Sequence, residues 1–144
     1  MKAESITGGE ERIYYASEII YEWIADNIRY RTDNDLYPKG AFRTLEERVG
    51  DCDDMSALFC SLARSIGIPC YVVDGYVVNR AGDLPYAHTW VAVIVPGEER
   101  IFDALAIDPA FREFGYKNAN KIVVGFDPGS SEYMQKAYRA FKLC

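Results

Sequence analysis

Cys52, His88 and Asp103 have the types and the order that nucleophilic acyl chemistry needs. Cys52 lies in GDCDDMSALFCSLARSIGIPC (50–70), where Asp51 is a good helix N-cap and Asp54 follows three residues on. The thiol is therefore expected in the first turn of a helix. There the helix dipole and a cationic histidine can lower a thiol pKa from about 8.5 to roughly 3.5–7.5. The Cys52 N–H is also one of the donors that a helix start leaves without an intrahelical acceptor, available to an oxyanion. The three neighbouring acids oppose a thiolate. Asp51 and Asp54 can spend their charge on capping, and Asp53 is expected to point away, about 100° round the helix.

The base must be His88, the single histidine of the chain, at the start of the strand-like run HTWVAVIV (88–95). Strict alternation puts it on one face with Trp90, Ala92 and Ile94. If Pro96-Gly97 is a two-residue loop, Asp103 falls opposite Trp90 and diagonal to His88. That is about 7–8 Å between Cα atoms, within reach of a carboxylate–imidazole bond. A four-residue loop moves Asp103 one pair further away. Asp108, in IDPA, is the alternative third member, but the same parity puts it on the other face. Other readings of these residues are structural. Cys60 and Cys70 fit core packing, Trp90 a core or cleft wall, and Cys144 an exposed terminal thiol. Cys52, His88 and an aspartate are legal zinc ligands, yet no paired-ligand spacing supports a zinc site. Capping explains the acidic run 51–54 more simply than a cation site, so no metal and no cofactor is expected.

The elements that must position these groups are legible in the periodicity. Ile13, Ala16, Ile20, Trp23, Ile24 and Ile28 make a helical stripe over about Glu10–Tyr30, ended by the turn-rich RTDNDLYPKG. A short helix follows at 41–48. Met55, Leu58, Phe59, Leu62, Ala63 and Ile66 then predict the clearest helix, closed by Gly67 and Pro69. Strands are expected over 71–78, 88–95, 100–105 and 121–127, and a last helix over 131–143. Helices first and strands afterwards indicate an α+β fold with an antiparallel sheet, in one domain spanning 1–144.

The linked order GDCDDMSALFCSLARSIGIPCYVVDGYV, AHTWVAV and RIFDAL resembles the prokaryotic transglutaminase-like superfamily, a papain-like cysteine fold. The resemblance covers about Ile13 to Leu105. It implies Cys52 as nucleophile, His88 as general base and acid, and Asp103 as the residue that orients the imidazole. Members act on acyl groups through a thioester, some as peptidases or amidases and some as amine transferases. The chain is too short for the extra domains of animal transglutaminases, and their calcium dependence is not carried over. The family's further oxyanion donor has no clear match, with Tyr30 and Tyr37 as candidates.

The bulk numbers agree with such an enzyme. The chain has 144 residues, 49% hydrophobic and 26% charged, with four cysteines and no CxxC pair. A net charge of -6 supplies no basic stripe for nucleic acid. No apolar run of membrane-spanning length appears and the start lacks a signal-peptide core, so a cytoplasmic location is expected. A protein or peptide substrate is expected, hydrolysed rather than passed to an amine. The rival reading is a protein-binding module without catalysis. No oligomeric interface is legible.

Overall fold

Apolar residues recurring at three and four positions build a helical layer, and β-branched runs build the sheet that it covers. The computed structural model describes residues 2–32, 39–77, 86–95, 103–115 and 121–126. The helices are α1 (Lys2–Thr7), α2 (Ile13–Asn27), α3 (Ala41–Glu47) and α4 (Cys52–Ser65). The strands are β1 (Arg29–Tyr30), β2 (Val49–Gly50), β3 (Cys70–Val77), β4 (Tyr86–Val95), β5 (Asp103–Asp108), β6 (Glu113–Phe114) and β7 (Lys121–Phe126).

Five strands form one antiparallel sheet in the order β6-β5-β4-β3-β7, with β4 at its centre. The core lies between one face of this sheet and the helices. Ile20, Ile24 and Ile28 come from the α2 side, Met55, Leu58, Phe59 and Leu62 from α4, and Val72, Val91, Val93 and Ile107 from the sheet. Each such side chain contributes roughly 1.5–3 kcal/mol by leaving water. Cys60 and Cys70 are buried in this layer, as their positions predict. The α+β, antiparallel expectation holds.

The segment before α4 is built to aim it. At Arg48 the backbone turns left-handed, with φ 60°, and its N–H closes α3 on the Thr44 carbonyl. The chain then runs parallel to β1, pairing Arg29 with Val49 and Tyr30 with Gly50. Asp51 follows as the N-cap of α4. Among the described residues, no helix is long and apolar enough to cross a membrane.

Three short features escape the sequence pattern: α1, the β1–β2 pair and β6. The third long strand is described over Asp103–Asp108, running past the expected end at 105, and residues 100–102 of its expected range lie outside the described residues. The Pro96-Gly97 loop, the helix expected over 131–143, Tyr37 and Cys144 lie outside the described residues.

Candidate active site

Cys52 is the first residue of α4, as expected. A reciprocal capping box fixes that helix start. The Asp54 N–H donates to Asp51 Oδ1 at 3.1 Å, and the Asp51 N–H donates to Asp54 Oδ2 at 3.3 Å. Asp54 Oδ1 also accepts the Lys39 N–H at 3.0 Å, which ties the chain before α3 to the same carboxylate. Two of the three acids are thus engaged by backbone.

The third acid behaves otherwise. Asp53 does not point away: its Oδ1 accepts the Thr89 hydroxyl at 2.6 Å, which brings its charge to the sheet beside the thiol. The Thr89 Oγ1 also lies 3.1 Å from Asp74 Oδ1. Burial, then the Asp53 charge, push the Cys52 thiol up from an ordinary 9.0 to about 11. Asp51 adds to the rise, while hydrogen bonding from the Thr89 backbone and hydroxyl opposes it. The depressed thiol pKa expected from the helix dipole is therefore corrected. Burial disfavours the charged thiolate, and the carboxylates beside it add to that. Asp53→Asn keeps an oxygen for Thr89 and removes the charge. It should lower the pH at which Cys52 alkylation by iodoacetamide accelerates, read on the Cys52 peptide by mass spectrometry. An unchanged inflection would mean that burial alone sets the thiol.

His88 lies on β4 and is buried, and its Nε2 is 2.7 Å from Asp108 Oδ2. A carboxylate accepts, so Nε2 is the donor, which leaves Nδ1 as the ring nitrogen outside this bond. The second oxygen of Asp108 accepts the Phe111 N–H at 3.1 Å. Both carboxylate oxygens are thereby engaged.

The carboxylate bonded to His88 is a correction: it is Asp108, where Asp103 was expected. Asp103 pairs with Val95, seven residues along β4 from His88, or roughly 23 Å at the rise of an extended strand. The pairing ends at Val91–Ile107, and one further step in the same register would set Asp108 across from Trp90 and diagonal to His88. That is the place assigned to Asp103 from a two-residue loop. The pairing is offset by an odd number of residues from that expectation, and an odd slip exchanges the two faces of a strand.

Cys52 and His88 line one cleft of about 350 Å³ with Asp53, Asp74, Tyr76 and Thr89. Trp90 is buried in a small apolar cluster with Val73 and Ala92, its ring centroid 6.1 Å from that of His88. Tyr30 is carried to this region by its pairing with Gly50. Partial burial foremost pushes its phenol up, with a hydrogen bond to Thr32 opposing the rise and the negative charge of Asp51 and Asp108 adding to it. Thr89, Asp74 and Phe111 were not singled out from the sequence; a polar residue beside a strand histidine is too common a signal.

Asp51, Cys52 and Asp53 bring donor atoms within 4.8 Å of one another, and His88 is not of that group. Asp51 is occupied as a cap and Asp53 holds Thr89. Two carboxylates and a soft thiol do not make the oxygen shell of about six to eight ligands that calcium takes.

A family model described as the transglutaminase-like superfamily matches residues 1–103. A provisionally assigned cysteine protease of Cytophaga hutchinsonii superposes with a TM-score of 0.70 at 23% identity, over 88% of this chain. The chain spans only 40% of that protein. LapG of Legionella pneumophila, in an EGTA-treated form, superposes with a TM-score of 0.69 at 15% identity, over 97% of this chain and 84% of LapG. A calcium-bound LapG gives 0.60 at 15% identity, over 88% of this chain and 82% of LapG. These likenesses show the fold. No curated protein sequence matches the chain.

Proposed function

We propose that this chain, which belongs to the transglutaminase-like superfamily, is a cysteine-dependent acyl-transfer enzyme that hydrolyses an amide or peptide bond through a Cys52 thioester. One observation carries the reading: the buried 2.7 Å bond between His88 Nε2 and Asp108, which leaves Nδ1 as the basic atom in a cleft shared with Cys52. A structural histidine needs no carboxylate held at both oxygens.

A thiol pushed up to about 11 rests protonated at neutral pH, so no standing ion pair is required. The Cys52 sulfur attacks the substrate carbonyl carbon as its proton passes to His88 Nδ1. The carbonyl electron pair moves onto oxygen, where the Cys52 N–H is a ready donor, worth roughly 2.7–4 kcal/mol where such donors have been measured. As the oxyanion collapses, the carbon–nitrogen bond breaks and the proton on Nδ1 goes to the leaving amine. Water then attacks the thioester, gives a proton to His88, and releases the acid and the thiol. Asp108 stays ionised and holds the ring. LapG has been described with calcium; the Asp51, Cys52 and Asp53 donors do not form such a shell, and no step uses a metal.

Water is chosen over an amine acceptor because water is always present, while transfer needs a cleft that excludes it. The test is partition of the acyl group. With p-nitrophenyl acetate as donor, p-nitrophenolate should be released by the wild type and not by Cys52→Ala. Added dansylcadaverine should take up little of the acetyl group. Predominant labelling of the amine would make the protein an amine transferase. No release above that of Cys52→Ala would overturn the enzymatic reading and favour a binding module.

A further inference from the structure

Phe111 is a large aromatic residue in the turn that links β5 to β6, 38% exposed and outside both apolar clusters. Its ring nonetheless lies flat on the imidazole of His88, with centroids 4.0 Å apart and planes 14° apart. Its backbone N–H holds Asp108 Oδ1 at 3.1 Å. The turn itself is pinned. Arg112 adopts a left-handed φ of 56° and donates from Nη2 to the Ala25 carbonyl of α2 at 2.9 Å. One residue thus touches both partners of the buried pair, the ring on the imidazole and the backbone on the carboxylate.

We infer that Phe111 is a positioning residue for the His88 base: its ring fixes the imidazole plane so that Nε2 stays on Asp108 and Nδ1 faces the cleft. This rests on the proposed role of His88. A hydrogen bond at Nε2 alone leaves the ring free to swing about that bond, and a parallel face at 4.0 Å removes the swing. The same face covers the imidazole from water and favours its transient positive charge, since an aromatic face attracts a cation. The ring acts before and during proton transfer and makes no demand on the substrate.

The single histidine makes the test clean. In wild type, 15N-histidine NMR should show one Nε2–H tautomer and a slowly exchanging downfield proton from the bond to Asp108. Phe111→Ala keeps the backbone N–H on Asp108. It should nevertheless broaden that proton, mix the tautomers and slow Cys52 acylation by p-nitrophenyl acetate roughly tenfold, with KM nearly unchanged. Phe111→Tyr should restore both signals, while Phe111→Leu, with bulk but no π face, should not. Wild-type acylation and tautomer in Phe111→Ala would overturn the inference, as would full rescue by leucine. Failure of the underlying reading looks different: His88→Ala would then acylate like wild type.

Discussion

Asp108→Asn should slow acylation of Cys52 by roughly 10⁴-fold, the scale seen when a triad carboxylate becomes an amide. Asp103→Asn should leave the rate unchanged. The difference follows from hydrogen-bond donors. An asparagine at 108 still accepts the Phe111 N–H through its oxygen, which turns its NH₂ toward His88 Nε2. Two donors cannot face each other, so the imidazole must move its proton to Nδ1. The atom that should receive the thiol proton then already carries one. Asp103, at the far end of the strand pair opposite Val95, has no such part. Stopped-flow release of p-nitrophenolate measures both variants, with circular dichroism to show that each is folded. Equal losses in the two variants would mean that the effect is general destabilisation.

The second large effect is expected at Gly50→Ala. A Cβ built there would stand 2.7 Å from Asp54 Cβ and 3.1 Å from Thr44 Cγ2. Neither atom can yield alone. Asp54 is buried and held by Asp51 and Lys39, and Thr44 is buried with its hydroxyl donating to the Gly40 carbonyl at 2.8 Å. Relief must come from moving the first turn of α4, which breaks the capping box and displaces Cys52. Overpacking of this kind costs about 1–3 kcal/mol, and a lost cap about 1 kcal/mol more. A displacement near 1 Å at the reacting atom costs about 10²-fold in rate. Gly50→Ala should therefore unfold several degrees below wild type. It should also acylate about 10²-fold more slowly at temperatures where both remain folded. Wild-type values for both would mean that the approach of Gly50 to α4 is incidental.

What the sequence revealed was the part that depends on local pattern. The apolar spacing of 55–66 and the Asp51 cap located α4 and the place of Cys52 to the residue. The β-branched runs located β3 and β4, and alternation put His88 and Trp90 on one face. The identity of the third residue depended on a quantity that alternation does not carry, the register across the β4–β5 connection. Each one-residue change there exchanges Asp103-like and Asp108-like positions between faces. The misjudged Asp53 has a similar origin. Its helical angle was correct, but β4 lies on that side and Thr89 meets it there. The thiol depended on burial, which only the packed sheet supplies.

The central claim is that Cys52 forms the acyl intermediate with its proton taken by His88. The most direct measurement is acid quenching of the reaction with p-nitrophenyl acetate within the first turnover, followed by peptide mapping of the acetyl group. In wild type the acetyl group should sit on Cys52, and in His88→Ala the Cys52 peptide should remain unmodified over the same interval. Acetyl at another residue, or equal modification of Cys52 without His88, would contradict the account.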